Sequence, residues 1–249
     1  MTEQFQTLLN IAEWPCRQLD AVLLADNRKG CVSEDRTMPL QMGTLPQNFF
    51  DHDVETVAKA LLGVSLFTID QYGNRVGGRI VETEAYDQND CAAHCYFPDG
   101  KRPLKMGPAE AMFLAGGHAY IYRARSYWCL NVVCGDEHFG SAVLIRALAP
   151  EAGIETMRER HRKNYESAWV KDEEKYVYSL CDGPGKLCVS LGIGGSLNKE
   201  PLNKLPFEFQ LNAGSPQIAS GPRIRVQGLI EKSRSYVDPC QKDEAISRR

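Results

Sequence analysis

No stretch of the 249 residues approaches the roughly eighteen consecutive apolar positions that a membrane span needs. No membrane partner is therefore expected. The first residues, with Glu3, Glu13 and Asp20 among them, also lack the basic-then-apolar order of a secretory leader, so an intracellular protein is expected. A disulfide framework is missing too. The nine cysteines (Cys16, Cys31, Cys91, Cys95, Cys129, Cys134, Cys181, Cys188 and Cys240) are odd in number and scattered, which points to reduced, mostly buried thiols. Cys91 and Cys95 flank His94, but no second CxxC or HxxxH completes four zinc ligands, so neither a metal nor a cofactor is expected. Basic excess is absent as well. A net charge of −3 at pH 7 argues against a chain that coats nucleic acid indiscriminately. Internal repeats and low-complexity tracts are likewise missing.

What is present suits one sizeable globular domain, with 43% hydrophobic and 24% charged residues. Residues 1–45 read as an N-terminal extension that is poorly ordered, 46–237 as the functional domain and 238–249 as a polar tail. Charge is uneven along the chain. The stretch from Lys101 to Lys163 holds Lys101, Arg102, Lys105, Arg123, Arg125, Arg146, Arg158, Arg160 and Arg162, which would fit a basic face on a neutral body or a solvated surface of mixed charge.

From Asp53 onward, Val54, Val57, Ala58 and Leu61 recur at helical spacing, with Asp51 or Asp53 as a cap and Gly63 beyond the end. Val64 to Ile69 and Arg79 to Tyr86, joined across Gln71-Tyr72-Gly73-Asn74, predict a β-hairpin. In its second arm, strict alternation would put Ile80, Glu82, Glu84 and Tyr86 on one face. Ala119 to Arg123, Tyr127 to Val133 and Ala142 to Ala147 predict an antiparallel meander. Helices follow over Gly153 to Arg162 and after Asp182-Gly183-Pro184-Gly185-Lys186, with an exposed loop or helix extension over Lys163 to Lys175. Phe207 to Leu211 and Arg223 to Val226 read as late strands. The fold class is α+β: a curved antiparallel sheet flanked by helices, with a protruding hairpin.

Two carboxylates and a phenol on one strand face, His94 shortly afterwards and aromatic strands around Tyr122 suggest a polar pocket on the sheet. Taken singly, each residue could be an ordinary solvated or half-buried side chain. Their order carries more. Arg79 to Tyr86 (RIVETEAY), Ala92-Ala93-His94, Tyr120-Ile121-Tyr122, Cys129-Leu130-Asn131, Val143 to Leu148, Gly153 to Met157 and Gly183 to Cys188 together resemble the ordered motifs of the alkyladenine (3-methyladenine) DNA glycosylase family, over roughly Phe49 to Ile193.

That resemblance implies a monofunctional enzyme that flips alkylated purines out of duplex DNA, with hypoxanthine as a possible second substrate, and hydrolyses the N-glycosidic bond as a monomer. Glu84 matches the general base, with Glu82 as the competing carboxylate. Tyr86, His94 and Tyr122 match the residues enclosing the flipped base. Asn131 matches the position that disfavours a 2-amino group, Leu144 a pocket wall, and Arg146 an arginine holding the flipped nucleotide's backbone.

The chain departs from the family pattern at the tip of the hairpin, where the family carries a tyrosine that fills the gap left in the base stack. Here Arg123-Ala124-Arg125-Ser126 stands between Tyr122 and Tyr127, one residue short and without that tyrosine. Arg123 or Arg125 would plug the gap or hold phosphates instead. The loop before His94 is also one residue short, and an expected aromatic-basic segment near Arg225 to Tyr236 is missing. These departures leave two alternatives open: a non-catalytic lesion-binding protein, and an N-glycosylase acting on single-stranded DNA or RNA.

Overall fold

Asp53 accepts hydrogen bonds on Oδ1 from the backbone amides of Glu55 and Thr56, both at 3.1 Å, and so starts helix α1 (Val54–Ala60). Of the two candidate caps, the second is the one used. The computed structural model describes residues 45–46, 48–101, 106–164, 177–212, 216–224 and 234–239. The expected N-terminal extension, almost all of the C-terminal tail and the Lys163 to Lys175 loop lie largely or wholly outside them, as do Arg225 and Val226 of the strand predicted from Arg223, whose described residues Arg223 and Ile224 are not in a strand.

An antiparallel sheet follows α1. Its strands are β1 (Ser65–Ile69), β2 (Arg75–Asp87), β3 (Ala119–Ala124), β4 (Tyr127–Val133), β5 (Ser141–Ala152), β6 (Phe207–Gln210), β7 (Ala219–Gly221) and β8 (Ser235–Val237). The main order is β3-β4-β5-β2-β1-β6, with β8 pairing with β2 across Glu82 to Glu84 and with β7 on its other side. Helices α2 (Ile154–Asn164) and α3 (Pro184–Leu191) complete an α+β domain. The meander and the first hairpin appear where periodicity put them. β2 and β5 run longer than expected, and β7 and β8, only three residues each, carry no alternation long enough to read.

One face of the sheet holds the main apolar core, which gathers Val57 and Ala58 of α1, Met157 of α2 and Leu187 and Leu191 of α3 against Ile121, Leu130, Val143 and Ile145. The other face carries a second cluster in which Ala109, Met112 and Phe113, on a 3-10 turn over Gly107–Phe113, pack with Tyr120, Val133 and Ala142. Residues of the meander strands alternate between the two clusters. Thus Tyr120 and Tyr122 belong to the second face, whereas Ala119 and Ile121 belong to the first.

That alternation breaks once in β2 and twice in β5, where Glu151 is the extra residue between Gly77↔Ala152 and Gly78↔Pro150. Register shifts make Val81 the extra residue between Ile80↔Leu148 and Glu82↔Ala147, and Arg146 the extra residue between Glu82↔Ala147 and Thr83↔Ile145. A bulge places two successive residues on the same side and bends its strand. Ile80 consequently faces the main core along with Ala85, and Thr83 donates its hydroxyl hydrogen to the Ala58 carbonyl of α1 at 2.9 Å. Strict alternation had Ile80 sharing a face with Glu82, Glu84 and Tyr86. The bulge at Val81 overturns that expectation while leaving the three polar residues together.

Candidate active site

Glu84 lies at the floor of a pocket of about 710 Å³ on the second face of the sheet. Its side chain is buried, and donors reach both carboxylate oxygens. Tyr86 donates its hydroxyl hydrogen to Oε2 at 2.8 Å and Arg146 Nη1 donates to the same atom at 3.4 Å, while the Ile224 backbone amide donates to Oε1 at 2.7 Å. Three donors on a buried carboxylate satisfy it without solvent and set the direction of its lone pairs.

Arg146 also ion-pairs through Nε with Glu82 Oε1 at 3.3 Å, so one guanidinium bridges two buried carboxylates. The bulge at Arg146 places this side chain on the pocket face. Glu82, one pleat away, is joined to the site by Arg146.

The walls are aromatic. Tyr86, Tyr120, Tyr122 and His94 all line the pocket, with His94 and Tyr122 edge to face at 4.6 Å and Tyr120 stacked on Tyr122 at 5.4 Å between centroids. Burial pushes all three phenols well above the ordinary tyrosine value, so they remain protonated, and the nearby Glu84 charge adds to the rise for Tyr86. Burial alone lowers His94, which is neutral at pH 7. Its Nδ1 lies 2.5 Å from the Tyr120 hydroxyl. A neutral ring accepting that hydroxyl hydrogen carries its own proton on Nε2.

Asn131, on β4, donates from Nδ2 to the Tyr120 carbonyl at 3.0 Å, which orients its amide, and Leu144 of β5 lies beside it in register. Both line the pocket. The fold thus brings Glu84, Tyr86, His94, Tyr122, Asn131, Leu144 and Arg146 to one cavity, although they are spread over more than sixty residues of sequence.

The two hairpin arginines separate. Arg125 lines the pocket mouth, whereas Arg123 does not and instead lies over the Trp128 ring at 5.9 Å. Arg125 occupies the two-residue turn between Ala124 and Tyr127 with φ of 55°, a left-handed conformation uncommon for a residue with a Cβ. Several arginines of the basic run from Lys101 onward are engaged within the protein. Arg146 is buried, Arg158 and Arg162 pair with Glu155, and Arg160 pairs with Asp70.

Several site residues escaped sequence reasoning. Tyr120 stood inside a quoted motif without a role, and exposed Tyr127 lines the mouth beside Gly183-Pro184-Gly185 at the start of α3. Ile224 is 140 residues from Glu84 and contributes a backbone amide, for which no side-chain signal exists. Cys95 donates to the Gly140 carbonyl at 3.3 Å and Cys91 is exposed, so the two thiols flanking His94 do not converge with it. Among the described residues no cluster of three or more His, Cys, Asp or Glu side chains is arranged to hold a metal ion. Nor, among them, is any helix long and apolar enough to cross a membrane.

An aromatic cavity over a donor-held carboxylate, on this bulged antiparallel sheet, is suited to acid–base chemistry beside a flat ring. Residues 48–238 match the family described as methylpurine-DNA glycosylase. Relatives provisionally named 3-methyladenine DNA glycosylase include one from Rhodopseudomonas palustris (strain BisB5), 42% identical over 80% of this chain and 88% of its own length. Another, from Agrobacterium fabrum, is 38% identical over 75% of this chain and 84% of its own. One from Rhizobium johnstonii is 43% identical over 72% and 78%. The chain belongs to the methylpurine-DNA glycosylase family, and it is a DNA glycosylase, a hydrolase of DNA repair.

Proposed function

We propose that the protein extrudes alkylated purines of the 3-methyladenine class from duplex DNA, inside the cell and as a monomer, and hydrolyses the N-glycosidic bond with a water activated by Glu84. The observation that carries this reading is the Glu84 carboxylate, held by three donors at the floor of an aromatic pocket. Glu84 takes a proton from water as the water oxygen bonds to the anomeric carbon. The bond to the purine nitrogen breaks, and its electron pair neutralises the cationic base. Free base and an abasic site result.

Tyr86 and Tyr122 offer electron-rich faces to a cationic purine, and their burial strengthens the attraction. Asn131 sits against the base edge, where its fixed amide disfavours a 2-amino group, with Leu144 on the adjoining wall. Arg146 orients Glu84 and reaches toward the extruded nucleotide's backbone. Arg125, at the mouth, meets phosphate or stacks on bases, and Arg123 supports the same strand contact. Neutral hypoxanthine lacks the built-in positive charge, and neither the raised phenols nor the lowered His94 supplies an acid at pH 7. It is therefore expected to leave more slowly than 3-methyladenine.

The test is release of free base from methylated duplex DNA by the parent and by Glu84→Gln, both with chelator present. Release by the parent alone supports the Glu84 assignment and a chemistry that needs no dissociable metal. Equal release by both proteins would refute the assignment. Binding of the methylated duplex without release by either would replace an enzyme reading with one of lesion recognition.

A further inference from the structure

Behind the pocket, a second buried charge cluster ties the C-terminal part of the chain to the turn after β2. Arg223 grips the Asp90 carboxylate with both terminal nitrogens, Nη1 on Oδ2 and Nη2 on Oδ1 at 3.1 Å, and donates from Nη1 to the Ala85 carbonyl at 3.0 Å. Its side chain is 1% exposed. The guanidinium also lies over the Tyr86 ring, 4.5 Å from the centroid. Asp90 accepts a further hydrogen bond from Arg234 Nη1 at 3.3 Å. The residue next to Arg223 is Ile224, whose amide reaches Glu84.

We propose that Arg223 is a positioning residue for the glycosylase reaction, holding the Ile224 amide on Glu84 and the Tyr86 ring against the pocket through its bidentate pair with Asp90. The inference rests on the reading of Glu84 as the base. Two constraints meet at one side chain. The backbone at Ile224 is fixed because its neighbour is anchored to Asp90, and Tyr86, which itself donates to the other oxygen of Glu84, is backed by the same guanidinium. Because β2 contributes Glu84, Ala85 and Tyr86 in succession, the clamp touches the strand at the two residues that follow the base. A planar fork can hold two carboxylate oxygens, a carbonyl and a ring face together, which a lysine cannot. Loss of the clamp frees the amide and the ring together, and the carboxylate loses its direction while the pocket remains.

Single-turnover base release, with enzyme in excess over methylated duplex DNA, separates positioning from folding. With active enzyme saturating, a partial loss of folded protein leaves the rate constant unchanged, whereas a misdirected carboxylate lowers it. Arg223→Gln and Asp90→Asn are each expected to slow release by about 10- to 100-fold, the scale of one hydrogen bond to a charged group. Their combination should be no slower than either alone, because both break the same pair. Arg223→Lys, which keeps the buried charge, should recover only part of the rate, and it decides the matter if Arg223→Gln does not fold. Rate constants within twofold of the parent in these variants, with Glu84→Gln inactive, would overturn the clamp while leaving the base assignment standing. Parental release by Glu84→Gln would instead remove the reading on which the clamp depends.

Discussion

Replacing Arg146 with Met would leave Glu82 and Glu84, each 1% exposed, facing a shared space without the cation that now bridges them at 3.3 and 3.4 Å. At an effective dielectric of about 20, each contact amounts to about 5 kcal/mol of gross attraction, most of which offsets the cost of taking the charges out of water. Removing one partner from a buried pair costs about 3–5 kcal/mol, because the desolvated carboxylates remain. For a domain of this size that corresponds to a fall in Tm of roughly 6–20 °C. Urea unfolding of variant and parent measures the cost. Adding Glu82→Gln to Arg146→Met removes one of the two buried charges and should recover part of the loss. A gap below about 1 kcal/mol, or a double variant less stable than the single one, would refute the view that Arg146 neutralises the pair.

Tyr86→Phe deletes the 2.8 Å hydrogen bond to Glu84 but keeps the ring, and single-turnover release is expected to fall by about tenfold or more, with duplex binding little changed. Gly185→Ala would bring a Cβ to 2.7 Å from Tyr127 Cβ at the start of α3, and overpacking of about 1–3 kcal/mol should appear as a lower Tm and weaker binding of methylated duplex; an unchanged Tm would mean that the hairpin yields freely. Burial holds His161 below its ordinary value of 6.5, with the ring bonded to Ser190 Oγ at 2.9 Å. The unfolded chain therefore takes up a proton that the folded chain refuses, so this contribution to stability is complete above about pH 6.5 and is lost as pH falls through the lower folded value. His161→Gln should flatten the fall of Tm between pH 7.5 and 5, and a slope as steep as the parent's would exclude His161 as its source.

Local periodicity and end signals are properties of neighbouring residues, so α1, the first hairpin, the β3 to β5 meander and the start of α3 could be read before any packing was known. Asp53 caps its helix whatever else the chain does. The ordered motifs from Arg79 to Cys188 likewise carried the family and the α+β class, since resemblance depends only on residue order. Pocket membership was legible through that resemblance, not through composition or charge. The net charge of −3 by itself argued only against a chain that coats nucleic acid indiscriminately.

Other features were decided only when distant segments met. Alternation cannot foresee a bulge, because the extra residue exists only relative to a partner strand's register. Val81 and Arg146 acquire their facing from the pairing of β2 with β5, and Ile80 was misplaced for that reason. Whether Arg146 reaches Glu82, Glu84 or solvent is likewise a matter of what lies opposite it. The Ile224 amide and the Arg223 pair with Asp90 join positions more than 130 residues apart. Sequence order determined which chemical groups this protein possesses and which short segments hold them. Only tertiary structure decided which charges share a desolvated space, because Coulomb attraction and burial depend on distance in space and not on separation along the chain.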